Sequence, residues 1–432
     1  IVFGDWSSDV CSSDLTADTK AKTRYFGTGV VMPVAREIVA NLQKSSLIRK
    51  MFEEGNAMRA RLGTDRVFDF SLGNPDLEPP PEFIAALAEV ATSSGPGQHA
   101  YMTNAGYPFV RDEIARKVSA EHGVVCSADD IVMTVGAAGA LNIIFRTILD
   151  PGDEVVVVRP YFAEYGAYAA NHRGKVVFAD SAADFSLDPD SIGRCLGPAT
   201  AAVLINSPNN PTGRVYDRAS IQTLAGVLRR HGEQSGRFPY LIVDEPYRDI
   251  VYDGVEVPAV LPYYAETMVA TSFSKTLSIP GERLGYVAVH PELADHATMM
   301  AGLAMANRSL GFVNAPAIMQ RAVAMSWRAK ADISRYARRR DMLAGILRHA
   351  GINFARPDGA FYLFCQVPER GPATSGAPGG TSGGVAGIDT VSSDFKFVDT
   401  LKEYGILAVP VSGFGDRKST RLNSSHRIRP RM

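Results

Sequence analysis

Between residues 131 and 289 the chain carries seven short apolar runs. They lie at 131–135, 154–158, 175–178, 201–205, 240–243, 268–271 and 286–289, and turn residues bound them. The runs are nearly continuous in Val, Ile, Leu and Ala rather than alternating with polar residues. A strand with one wet face alternates, whereas a continuous run suits a strand covered on both faces. Helix-length segments fill most of the gaps. This spacing predicts an α/β fold with a mostly parallel, seven-stranded type of sheet, right-handed crossovers and helices on both faces.

In such open sheets, ligands bind outside the carboxyl ends of the strands. That rule singles out residues 240–285. The run at 240–243 delivers Asp244 and Tyr247, the run at 268–271 delivers Ser272, Ser274 and Lys275, and Arg283 follows. An acid, a phenol, two hydroxyls, an amine and a guanidinium then share one crevice. The set fits a cofactor with a cationic ring, a carbonyl and a phosphate.

The two ends read differently from the rest. Residues 1–15 are Ser/Asp-rich, residues 416–432 are Ser/Arg-rich, and neither has a core pattern. One DNA segment read from opposite strands accounts for Asp416-Arg417-Lys418-Ser419 and for the repeated Ser-Ser-Asp. Both ends resemble translated sequencing-library adaptor; the alternative is two natural disordered tails. The expectation is that 16–415 is the protein and that foreign ends stay out of fold reasoning. The tails hold six of the 45 basic and four of the 46 acidic residues, so the remainder is close to −3.

That balance argues against a broad nucleic-acid surface. With 46% hydrophobic and 21% charged residues the chain is expected to be globular with ample core. Cys126, Cys195 and Cys365 are scattered with no CxxC pair, which suggests neither a disulfide framework nor a zinc or other metal site. No apolar run reaches the ~18 residues of a membrane span. A cytoplasmic protein is the expectation.

The length implies two domains. Residues 33–62 read as helical and belong to an N-terminal segment, 16–70, expected to pack on the smaller domain. A strand at 67–72 ends in the turn Gly73-Asn74-Pro75-Asp76, and the large domain runs from 71 to 295. From about 296 to 415 the pattern changes to helices with a late strand at 360–364, a smaller α+β domain. Residues 369–390 are Gly/Ser/Pro-rich and read as a flexible surface insertion, with a lid as the alternative.

Each motif has an ordinary reading when taken alone. Gly136–Ala140, between strand and helix, fits tight packing as well as backbone N–H groups approaching a phosphate. The Asn206–Gly213 cluster fits a plain loop, although Asn210 offers an amide at a strand end. Asp244 fits a cap or an ion pair, Lys275 a solvated amine, and Arg283 a partner for backbone carbonyls. The ordered set is far less expected by chance.

Taken in order, TVGAAGALN, SPNNPTG, DEPY and SFSKTLSIPGERLG resemble the class I/II aminotransferases, pyridoxal-phosphate enzymes of fold type I. SLGNPD near the start and GILAVPVSGFG near the end extend the resemblance over nearly all of 33–415. Lys275 resembles the lysine that links covalently to the cofactor and later shuttles a proton. Asp244 resembles the partner of the pyridine nitrogen, and Asn210 and Tyr247 the pair that bonds the ring's 3-oxygen. Ser272, Arg283, Gly136, Ala137 and Ala138 match the phosphate cup. Phe162 falls where the family stacks an aromatic on the ring. Tyr101 matches a tyrosine reaching the phosphate of the neighbouring subunit, which implies a homodimer with shared sites. Gly73 lies where the backbone approaches the substrate carboxylate, and Asn210 also faces substrate.

Two departures stand out. The family's carboxylate-binding arginine falls beyond Phe414-Gly415, among residues read as adaptor, and Arg417 and Arg421 are not assigned to that role. Ala138 stands where some relatives carry a polar or basic residue. The resemblance implies transfer of an amino group from an α-amino acid to a 2-oxo acid, with aspartate as the donor suggested by overall likeness. Within the fold the rival is a C–S lyase or a decarboxylase. From another class it is the aminotransferase-like sensor domain of a transcription regulator, for whose DNA-binding part 16–70 leaves little room.

Overall fold

The computed structural model describes residues 25–26, 29–30, 34–35, 38–39, 47–71, 73–93, 95–367 and 394–414. The expected adaptor segments 1–15 and 416–432, the insertion 369–390 and Gly415 lie outside the described residues. So do residues 33, 36–37 and 40–46 of the expected N-terminal helix, in which Leu47–Leu62 is helical.

All seven apolar runs form strands of one sheet: β1 (Ile131–Thr134), β2 (Glu154–Arg159), β3 (Lys175–Asp180), β4 (Thr200–Asn206), β5 (Tyr240–Asp244), β6 (Thr267–Ser272) and β7 (Gly285–Val289). Their order across the sheet is β1-β7-β6-β5-β4-β2-β3. β7 runs antiparallel to β1 and β6, and every other pairing is parallel.

The continuity of the runs has the expected cause. Side chains alternate between two cores, one on each face of the sheet. Met133, Val156, Val203, Leu241, Val269 and Tyr286 enter one core, with the helices Pro81–Thr92, Pro108–His122 and Arg218–Ser235. Val132, Val157, Leu204, Ile242, Met268 and Val287 enter the other, with Gly136–Ile148 and Tyr165–Asn171. Helix ends follow local chemistry. Pro81 and Pro108 open their helices, where a missing N–H costs nothing. Asp217 caps Arg218–Ser235 by accepting from the Ser220 N–H, and Gly236 closes it at φ 75°.

Two sequence expectations need correction. The late strand is not 360–364: Phe364–Cys365 pairs antiparallel with Phe354–Ala355. Ala360 instead sits at φ 55°, beside the isolated bridge from Gly359 to Val251, so the apolar run turns before it pairs. The expected boundary at 295 coincides with no change in packing. Helix His296–Ser309 buries Met299, Leu303 and Ala306 in the second core, and Ala317–Ser326 buries Ala322 and Val323 in the first. Both helices cover the main sheet.

Beyond the sheet, Phe68–Asp69 pairs in parallel with Ile406–Leu407. Glu54, on the helix Leu47–Leu62, forms an ion pair with Lys402 of the helix Asp394–Glu403. A third apolar cluster joins Leu77, Tyr247, Ile250, Tyr252, Tyr336, Ala360 and Phe361. It joins four separate stretches of the chain, at 77, 247–252, 336 and 360–361, the second of which follows the end of β5. No helix of the described residues is long and apolar enough to cross a membrane.

Candidate active site

β4 and β5 end side by side, with Asn206 opposite Asp244 in the register. Asn206 donates through Nδ2 to the Asp244 carbonyl at 2.7 Å, and its Oδ1 accepts the Asn210 N–H at 2.6 Å. One amide therefore ties both strand ends to the turn that carries Asn210. The Asn210 side-chain oxygen is buried and has no hydrogen-bond partner among the described residues.

Asp244 is 5% exposed. Oδ2 accepts from the Tyr165 hydroxyl at 2.5 Å, while Oδ1 is buried without a partner among the described residues. Burial pushes its carboxyl up to about 7; the Tyr165 bond opposes this and the charge of Glu245 adds to it. Glu245, next in sequence, behaves in the opposite sense. Burial would raise it, but Arg248 and His122, at 2.9 and 2.8 Å, more than offset that and hold it down at about 2.

Lys275 follows β6 on the short turn Phe273–Thr276. Its half-buried amine donates to the Gly73 carbonyl at 2.6 Å and lies 5.4 Å from the Phe361 ring centroid. Burial, with Arg283 adding, lowers its pKa to about 8. An amine so placed has an appreciable neutral, nucleophilic fraction near physiological pH, far larger than an ordinary lysine has. Gly73 is required for a steric reason, because a Cβ there would overlap the Tyr362 hydroxyl.

A cradle for an anion lies beside these groups. Among the described residues no side chain caps helix Gly136–Ile148, so the first-turn N–H groups of Gly136, Ala137 and Ala138 are open to a ligand. Ser272, Gly285 and Thr134 lie in register across β6, β7 and β1, which sets Ser272 near this turn. Arg283 adopts φ 53°, a left-handed backbone uncommon outside glycine, and its Nη2 would stand 3.0 Å from a Cβ built on Gly136. A guanidinium and a helix N-terminus thus converge.

The structure brings together Gly136, Ala137, Ala138, Asn210, Asp244, Tyr247, Ser272, Lys275, Arg283 and Gly73. Phe162 is half-buried and meets the Tyr165 ring edge-on at 5.5 Å, one ring from Asp244. Tyr101 is 91% exposed and is not packed in this cleft. Phe414, the last described residue, accepts the Tyr161 N–H at 3.2 Å through its carbonyl. Three site residues were not singled out from the sequence: Asn206, Tyr165 and Tyr362. Asn206 was detectable as a polar residue ending an apolar strand. Tyr165 and Tyr362 had no local signal, since their partners Asp244 and Tyr247 are 79 and 115 residues away.

The donor set suits pyridoxal phosphate: an orphaned buried carboxylate oxygen, an open amide oxygen, an amine of lowered pKa and an anion cradle. The family model "Aminotransferase class I and II" matches residues 65–428. The aspartate/prephenate aminotransferase of Thermus thermophilus is 30% identical over 374 residues, 84% of this chain and 87% of that one. The probable aspartate aminotransferase of Methanocaldococcus jannaschii is 29% identical over 89% of this chain and 92% of its own. Among solved structures, an aminotransferase from Eubacterium rectale superposes with a TM-score of 0.80 at 35% identity, covering 89% of this chain and 92% of that one.

Proposed function

The chain belongs to the class I and II aminotransferases, and on that footing we propose that it holds pyridoxal 5'-phosphate at the carboxyl ends of β4, β5 and β6 and moves an amino group from an α-amino acid to a 2-oxo acid. The observation that carries the cofactor assignment is Asp244. Its Oδ1 is buried with no partner among the described residues, a costly arrangement unless a ligand supplies the donor. When bound, the cofactor's cationic ring takes up the electron pair released at the substrate Cα.

Each residue then has a part. Asp244 holds the proton of the ring nitrogen, oriented by Tyr165. Asn210 and Tyr247 bond the 3-oxygen. The N–H groups of Gly136, Ala137 and Ala138, with Ser272 and Arg283, bind the phosphate, where a guanidinium can bond in bidentate fashion. Phe162 covers one face of the ring. Lys275 anchors the cofactor, and its freed amine carries the proton from the substrate Cα. Gly73 and Asn210 border the substrate. The exposure of Tyr101 supports the reading that it serves a second copy in a homodimer.

Relatives named aspartate aminotransferase support aspartate as the donor. The test is a panel of amino acids added to the pyridoxal-phosphate-loaded protein, followed by absorbance. Conversion of the bound cofactor to its amine form by aspartate, and its return with a 2-oxo acid, is the expected result. Release of ammonia would assign a lyase instead, and no spectral change with any amino acid would overturn the reading.

A further inference from the structure

The Tyr247 and Tyr362 hydroxyls are 2.6 Å apart, and their rings meet at 5.8 Å and 79°. Tyr247 is 4% exposed and belongs to the third apolar cluster, against which Tyr362 packs. Each hydroxyl has one proton, and one hydrogen bond joins them. The Tyr362 hydroxyl lies over the Cα of Gly73, which offers no acceptor. Among the described residues its hydrogen bond is to Tyr247. If Tyr247 donated, the Tyr362 proton would be left without an acceptor in a largely enclosed place. If Tyr362 donates, its proton is satisfied and the Tyr247 proton, which has no other acceptor among the described residues, is free for the 3-oxygen of a bound cofactor; only this direction leaves both protons paired once the cofactor is present.

We propose that Tyr362 is a positioning residue: it donates to the Tyr247 oxygen and so directs and strengthens the Tyr247 proton toward the cofactor's 3-oxygen. The inference rests on the pyridoxal-phosphate reading above and assigns to this chain a residue that does not itself touch the reacting atoms. Hydrogen bonds in a chain polarise one another, so a hydroxyl that accepts becomes a better donor. A better donor to the 3-oxygen withdraws electron density from it. The proton shared between that oxygen and the nitrogen supplied by Lys275 is then held less tightly.

The test uses apo protein reloaded with pyridoxal phosphate, without substrate. The readout is the pH midpoint of the bound cofactor's visible absorbance in the parent, Tyr362→Phe, Tyr247→Phe and the double variant. Tyr362→Phe keeps the ring contacts to Tyr247 and Phe361. Apo melting curves check that the fold is retained. Tyr362→Phe is expected to raise the midpoint by roughly half to one pH unit, the scale of one neutral hydrogen bond. Tyr247→Phe is expected to raise it at least as far, and the double variant to match Tyr247→Phe because Tyr362 acts through Tyr247. A Tyr362→Phe midpoint equal to the parent's, while Tyr247→Phe moves, overturns the proposal. So does a double variant shifted well beyond Tyr247→Phe. If the parent binds no cofactor, the functional reading itself falls, a separate and visible outcome.

Discussion

The Tyr165 hydroxyl donates to Asp244 Oδ2 at 2.5 Å, and Oδ1 of the same buried carboxylate has no partner among the described residues. One oxygen is therefore held by a phenol and the other is available to a ligand. Tyr165→Phe removes the orienting donor, so burial should push the Asp244 carboxyl higher still. A hydrogen bond to a charged group is worth about 1.5–3 kcal/mol. Affinity for pyridoxal phosphate should accordingly fall at least roughly tenfold. Equilibrium dialysis of the apo protein measures this, and an unchanged affinity would remove Tyr165 from the site.

Asp244 should also make the apo protein pH-sensitive. Its folded-state pKa, about 7, lies above its ordinary value of 3.8. Between those values the folded form binds more protons than the unfolded, so this group's contribution to stability falls as pH rises from about 4 to about 7. Asp244→Asn removes the charge at nearly constant shape. The apo variant should be more stable than the parent at pH 8, by at most about 4 kcal/mol at ~1.4 kcal/mol per pKa unit. The gap should close near pH 4. Urea unfolding at both pH values checks it; a gap independent of pH would show that Asp244 is not the titrating group.

Lys275 has the opposite shift, from 10.5 down to about 8. The neutral, nucleophilic amine appears as pH rises through that value. The rate at which apo protein forms its covalent link to pyridoxal phosphate should climb between pH 6 and 9 with a midpoint near 8. Lys275→Ala should abolish turnover yet still bind the cofactor, because Asp244 and the phosphate cradle remain. Borohydride reduction and peptide mapping would place the label; any lysine other than Lys275 contradicts the assignment.

Gly285 permits the phosphate cradle to close. A Cβ there would overlap the Thr271 carbonyl oxygen and come within 2.9 Å of the Gly136 Cα, and neither atom belongs to a movable side chain. Gly285→Ala should cost about 1–3 kcal/mol by overpacking and weaken phosphate binding. Gly281→Ala, with nothing within 4 Å of its added methyl, is the control and should stay within about 0.5 kcal/mol of the parent. Equal urea midpoints for the two variants would refute the steric account.

The sequence by itself determined the sheet, its two covered faces and the strand ends at which the candidate site lies. It could do so because these are local properties. A strand buried on both faces must be apolar at successive positions, and a turn needs Gly, Pro, Asn or Asp wherever it occurs. Asp244, Lys275 and Arg283 were legible because they follow such strands at short spacing. Tertiary structure alone decided that Tyr165 orients Asp244, that Tyr362 meets Tyr247, and that Gly73 is a glycine because Tyr362 lies against it. It also decided that helices His296–Ser309 and Ala317–Ser326 cover the main sheet rather than a separate unit. An amphipathic helix shows that one face will be buried, not which surface will bury it. Likewise a tyrosine carries the same hydroxyl whether its partner is four residues away or 115, and only packing brings the two together.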